Sequence, residues 1–107
     1  MAIINAIVDI TDTSIFTASA QQAITVVYLC NTSNADVTVS VYCVDNDDTT
    51  GAYVGNKIYN DLLLTGKETY VIDTEKLILD PSDKLIATAN VANVITSTVS
   101  YISISNI

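Results

Sequence analysis

The side chains best suited to chemistry in this sequence are carboxylates, and they crowd into Asp45-Asn46-Asp47-Asp48-Thr49-Thr50-Gly51. Clustered oxygens suit a hard cation such as calcium. The spacing argues against it. An EF-hand loop begun at Asp45 needs glycine at its sixth place and glutamate at its twelfth, and the sequence has Thr50 and Asn56 there. The stretch reads instead as a solvated hairpin tip, with no metal and no cofactor expected. A carboxylate pair such as Asp45 with Asp47 is the remaining acid–base candidate. General acid–base catalysis draws most often on histidine, and the chain has none. Without histidine or closely paired cysteines there is no pattern for zinc. The sequence also lacks a glycine-rich phosphate loop and a serine elbow with its base. The expectation is a protein that is not an enzyme.

Binding is the other chemistry to consider. Six tyrosines, Tyr28, Tyr42, Tyr53, Tyr59, Tyr70 and Tyr101, offer faces that stack on sugars or bases. They are spread along the chain, as core or interface aromatics would be. Tyr53 and Tyr59 are the two expected at the surface. With Asp45, Asp47 and Asp48 they outline a candidate binding loop between positions 45 and 59.

The elements that would carry such a loop are strands. Residues 23–45, AITVVYLCNTSNADVTVSVYCVD, read as two strands joined by a polar turn. Val37, Val39, Val41 and Cys43 alternate with Thr38, Ser40 and Tyr42, the period of a half-buried strand. In the preceding run, Ile24, Val26, Tyr28 and Cys30 oppose Thr25, Val27 and Leu29, so both faces are apolar. Direct pairing around Ser33 and Asn34 sets Cys30 against Val37 and Cys43 against Ile24. It leaves Val27, Leu29, Tyr42 and Val44 on a far face that a second layer or another subunit must cover. In that register the two cysteines lie roughly 20 Å apart, beyond the ~7 Å Cα reach of a disulfide. Free thiols are expected; a bridge would need the strands in different sheets.

Residues 3–10 form a further strand with apolar side chains on both faces, Ile3 and Ile7 against Ile4, Val8 and Ile10. Residues 1–12 are thus an edge strand or an arm laid on a neighbour, which adds Ile3 and Ile4 to the interface candidates. Short strands follow at 15–17, 69–73, 77–79 and 84–90. Residues 58–64 fit a strand or a short helix through Tyr59, Leu62 and Leu63; the strand is preferred. Thr65-Gly66-Lys67-Glu68 is a turn with glycine available for positive φ. Asp80-Pro81-Ser82-Asp83 is the clearest turn of all. The last strand, 94–104, changes apolar parity near Tyr101 and Ile102, which signals a bulge or burial on both sides. These elements add up to an all-β chain: one antiparallel β-sandwich of about eight strands, Ig-like or jelly-roll-like, over residues 1–107.

Composition agrees. Isoleucine, valine and threonine make up 40 of the 107 residues, and all three favour strands. A chain this long buries roughly two-thirds of its unfolded surface without staples. Four basic against twelve acidic residues give a net charge of −8, which argues against a nucleic-acid partner. MAIINAIVDI lacks the positive charge of a secretory signal, and no run nears the ~18 apolar residues of a membrane span. A soluble product folded without export, with no membrane partner, is expected. Asn31-Thr32-Ser33 matches a glycosylation sequon, which has meaning only on a secretory route.

Two stretches, IFTASAQQAITVVYLCNTSNADVTVSVYCVD and LILDPSDKLIATANVANVITSTVSYISI, together with the Leu77, Leu79, Asp83, Leu85 turn pattern, resemble a family of small virion structural proteins of tailed bacteriophages, including cyanophages. The sequence departs at Pro81-Ser82, where glycine before the aspartate is more usual, and the turn geometry is open there. The resemblance implies a β-sandwich in the shell, neck or tail of a particle and no enzymatic residues. It implies a virion location after synthesis in the bacterial cytoplasm. It also implies partners among other virion proteins (the major capsid protein, or neck and tail proteins) and a homo-oligomer. A decoration or cement protein on the capsid exterior fits the acidic charge. A neck or tail adaptor is the alternative, and a carbohydrate-binding module of the particle, built on the 45–59 loop, is the rival of another class.

Overall fold

A computed structural model of the chain describes residues 2–46, 51–73 and 77–104. Among these, nine strands form two antiparallel sheets that pack into one β-sandwich. They are β1 (Ala2–Val8), β2 (Thr13–Thr17), β3 (Gln22–Asn31), β4 (Val37–Val44), β5 (Lys57–Leu64), β6 (Thr69–Ile72), β7 (Leu77–Leu79), β8 (Lys84–Ala89) and β9 (Ile95–Ser103). Sheet A runs β1-β9-β3-β6, with β7 also on β3; sheet B runs β2-β8-β4-β5. One turn of 3-10 helix, Val54–Asn56, precedes β5. β1 pairs along its whole length with β9, so residues 2–8 form an edge strand of their own sheet.

The hairpin expected over residues 23–45 does not form. β3 lies in sheet A and β4 in sheet B, so the chain crosses the core between them. A polar link between two alternating strands serves an inter-sheet crossing as well as a tight turn. What distinguishes the two here is Asn31, whose side chain is fully buried at the end of β3. Its Nδ2 donates to the carbonyls of Ala35 (2.8 Å), Leu64 (3.0 Å) and Thr65 (3.2 Å). Its Oδ1 accepts from the Ser33 amide (3.0 Å) and the Ser33 hydroxyl (2.8 Å). One amide thereby ties the crossing loop to the β5–β6 turn. Gly66 approaches that loop so closely that a Cβ there would meet the backbone of Asn34. Close approach, rather than φ, is what requires glycine; the positive φ of this turn belongs to Lys67 (65°). An Asn31 nitrogen held by three carbonyls in the interior cannot carry a glycan in the folded chain.

A bulge accounts for the apolar residues on both faces of β3, whereas β1 pairs without one and leaves Ile3 and Ile7 exposed. In β3, Thr25 is an extra residue between the pairs Ile24–Tyr101 and Val26–Ser100. It switches the parity of the strand. Ile24 faces inward before it, and Val27 and Leu29 after it. The parity change expected near Tyr101 in the last strand therefore sits on its neighbour, while β9 keeps Ile95, Ser97 and Val99 inward and Tyr101 packed on the core. β5 carries two irregularities opposite β4, with Asp61 at φ 48° and its amide donating to Ser40 Oγ at 3.0 Å. That interruption turns Tyr59, Leu62 and Leu64 toward the core, while Leu63, the third residue of the helical alternative, is exposed.

The core between the sheets holds Ile15, Phe16, Leu29, Leu64, Leu85 and Val99, all at most 2% exposed. Each such side chain contributes about 1.5–3 kcal/mol by leaving water. Phe16 and Tyr101 meet with ring centroids 4.9 Å apart. One core position is polar. Ser97, opposite both Ala6 and Leu29, is buried, and its hydroxyl finds no hydrogen-bond partner among the described residues. Desolvating an unpaired hydroxyl costs about 1–3 kcal/mol. Ser97→Ala is therefore expected to raise the unfolding free energy by about 1 kcal/mol, read as a higher urea midpoint at an unchanged slope. A lower midpoint would mean that the hydroxyl is in fact bonded.

The Asp80–Asp83 turn is closed by Asp83 itself. Its carboxylate accepts from the Asp80 amide (2.9 Å) and, across the loop, from the Asn46 amide (2.8 Å). Ala18 exchanges backbone bonds with Ser82 and Asp83, which fixes the turn to the loop after β2. Ser82 sits at φ 74°, the left-handed region where glycine has no Cβ penalty. Ser82→Gly is expected to stabilise the fold by about 0.5–1 kcal/mol. A fall in thermal midpoint for that variant would show that the serine is favoured for another reason.

Candidate interaction face

The interface residues anticipated from the sequence separate into several environments. Val27, Leu29 and Val44 are buried. Val27 and Leu29 belong to the core because the Thr25 bulge turns them inward; Val44 is 1% exposed on β4. Ile4 packs against the core from β1. Tyr42 is half-buried, with Lys57 Nζ 5.4 Å from its ring centroid. Ile3 alone of the six stands open, at 60% exposure. Four of the six are thus packed inside the chain rather than offered to a partner.

The candidate binding loop is not one surface either. Asp45 is exposed just beyond β4, while Asp47 and Asp48 lie outside the described residues. Tyr53 is exposed, and its amide is held by Asn56 Oδ1 at 3.1 Å. Tyr59 is instead half-buried in β5 and lies edge-on to Tyr70, centroids 6.5 Å apart. It stands at the edge of an apolar cavity of about 200 Å³ between the sheets, lined by residues that include Val27, Val41, Ile72 and Leu85. Among the described residues no group of three or more His, Cys, Asp or Glu side chains could hold a metal ion.

Both cysteines are free and half-buried. They lie in different sheets, the condition set for a bridge, but Cys43 packs on the core whereas Cys30 shares the outward parity of Tyr28. Burial first, then the negative charges of Asp83 and Asp45, push the Cys43 thiol above its ordinary value. The thiolate is the reactive form, so Cys43 is expected to alkylate slowly at neutral pH and faster as pH rises. A Cys30→Ser chain isolates that rate in a thiol titration; rapid reaction at pH 7 would contradict the assignment. The folded chain also holds this proton more tightly than the unfolded one. Its contribution to stability is therefore complete below the ordinary thiol range and lost as pH rises through and beyond it.

What the anticipated sites missed is the outer face of sheet A. Cross-strand pairing builds it in rows. Asn5, Thr98, Tyr28 and Val71 form one; Ile3, Ser100 and Val26 form the next; Ile102, Ala23 and Ile78 form a third. Ile3, Ile7, Tyr28, Val71, Ile78 and Ile102 are all more than 40% exposed. No residue in the five strands of this sheet carries a charge. Sheet B differs, with Lys57 and Asp61 in β5 and Lys84 in β8. The signal was legible: no charged residue occurs between Asp12 and Asp36, or after Lys84. Two pairs of polar groups on the face bond one another. Thr98 Oγ1 donates to Asn5 Oδ1 at 2.8 Å, and Thr25 Oγ1 lies 2.9 Å from Ser100 Oγ.

Compared with protein-family models and with curated protein sequences, the chain matches none. Among the described residues no helix is long and apolar enough to cross a membrane.

Proposed function

We propose that this chain is a noncatalytic structural protein of a tailed-phage particle, a decoration or cement protein on the capsid exterior. The observation that carries this reading is the gathering of exposed apolar side chains onto the uncharged face of sheet A. Apolar side chains gathered on one face, here on both sides of the Thr96, Thr98 and Ser100 row of β9, are the kind of surface that marks protein contact. The acids, kept off this sheet, suit surfaces turned to solvent and away from packaged nucleic acid. The residues that carry the phage resemblance act as framework, which suits a structural family: Asn31 pins the crossing, Asp83 closes its turn, and Leu79 and Leu85 are core. The partners on this reading are the major capsid protein and neighbouring copies.

Immunogold electron microscopy of purified particles tests the proposal. Label over the whole shell supports decoration. Label at one vertex or along the tail replaces it with a neck or tail adaptor. Particles without the protein overturn both.

A further inference from the structure

We propose that the outer face of sheet A closes against the same face of a second copy of this chain, as a two-fold homodimer. The inference deepens the reading of this face as one built to be covered. Charge selects the occupant. Each copy carries a net charge of −8, and the five strands of sheet A contribute nothing to it. Contact through the connecting segments, where all the acids but Asp61 lie, brings acid toward acid, and like charges across an interface cost several kcal/mol. Contact through sheet A avoids this. A partner recruited by positive charge would be drawn to the acidic surfaces instead. The face therefore calls for a surface that is itself neutral and apolar, and a two-fold axis supplies it by matching the patch with itself.

The chemistry and size of the face agree. Its apolar anchors (Ile3, Ile7, Tyr28, Val71, Ile78 and Ile102) surround hydroxyl and amide groups that bond one another, so burial orphans none of those pairs. Four strands abreast span about 19 Å; β3 and β9 run about 30 Å, while β1, and β6 with β7 end to end along β3, are each about 23 Å of strand. The flat area is roughly 500 Å² per copy, or about 1,000 Å² for the pair, the threshold that a specific interface must clear. Facing sheets stack about 10 Å apart.

The test uses the purified full chain in sedimentation velocity over a concentration series. The expected species at high concentration has twice the 11.4 kDa chain mass. Added salt is expected to tighten the dimer, because it screens the repulsion between two acidic bodies. Tyr28→Glu and Ile78→Glu each place a charge on the face and are expected to weaken association at least tenfold. Leu63→Glu, at an exposed position of sheet B, is expected to leave it unchanged. Circular dichroism checks that each variant folds. A wild-type monomer at every concentration overturns the proposal. So does association that salt dissolves, or that Leu63→Glu breaks while both sheet A variants keep it. The two proposals fail separately: a dimer absent from particles removes only the functional reading, and a monomer found on particles removes only the dimer.

Discussion

Asn31→Asp is expected to cost about 3–5 kcal/mol at pH 7, enough to bring a domain of ordinary stability, about 5–15 kcal/mol, close to unfolding. The substitution keeps the shape and reverses the chemistry. Three carbonyl oxygens that now receive N–H bonds from Nδ2 would face a carboxylate oxygen inside the protein. Burial and carbonyl repulsion both disfavour the charged form, so the folded-state pKa rises above the unfolded value of about 3.9. The sign follows: the penalty is smallest below that unfolded value and grows as pH rises through and beyond it. Urea unfolding of the variant and the parent, side by side at pH 7 and pH 4, should show the gap narrowing in acid. Asn31→Ala, which removes the donors without adding charge, is expected to cost about 2–4 kcal/mol at both pH values. Equal stability of parent and Asn31→Asp at pH 7 would mean that this amide does not hold the crossing.

Leu29→Ala is expected to lower stability by about 3 kcal/mol, within the 2–5 kcal/mol typical of a buried leucine cut to alanine. Its neighbour Tyr28, 41% exposed, is expected to cost under 1 kcal/mol when replaced by alanine in dilute solution, where no partner covers it. The pair of variants tests the Thr25 bulge directly, because a strand without that extra residue would exchange the two positions. Denaturant midpoints at a single low protein concentration decide the matter. A large loss for Tyr28→Ala with little change for Leu29→Ala would place the bulge elsewhere.

These two residues also show how far the sequence could be read. Alternation and turn composition were enough for the strands and for the all-β sandwich, because period-two patterning is local. Partnership was not local. Residues 31–36 are equally good chemistry for a hairpin and for a passage between sheets; the difference lies in Leu64 and Thr65, whose carbonyls Asn31 reaches across more than thirty positions. The bulge at Thr25 was hidden for a similar reason. An apolar run on both faces signals either two covered faces or one change of parity, and only pairing with β9 decides between them. Val27 and Leu29 were therefore left open to cover by a second layer or by another subunit, and it is the second layer that covers them. The candidate face lay in charges that are missing rather than residues that are present, and motif reading starts from residues that are present.

The place of β9 in sheet A bears on how the chain is made. It is the ninth strand in order, yet it lies between β1 and β3 and is the strand that joins the first to the rest of the sheet. Ribosomes deliver β1 long before its neighbour exists. Until residues 95–103 emerge, β1 and one side of β3 wait with open backbone edges and no charged side chain to guard them. The nascent chain is thus most adhesive just before residues 95–103 emerge, and synthesis from crowded messages would put many such chains side by side.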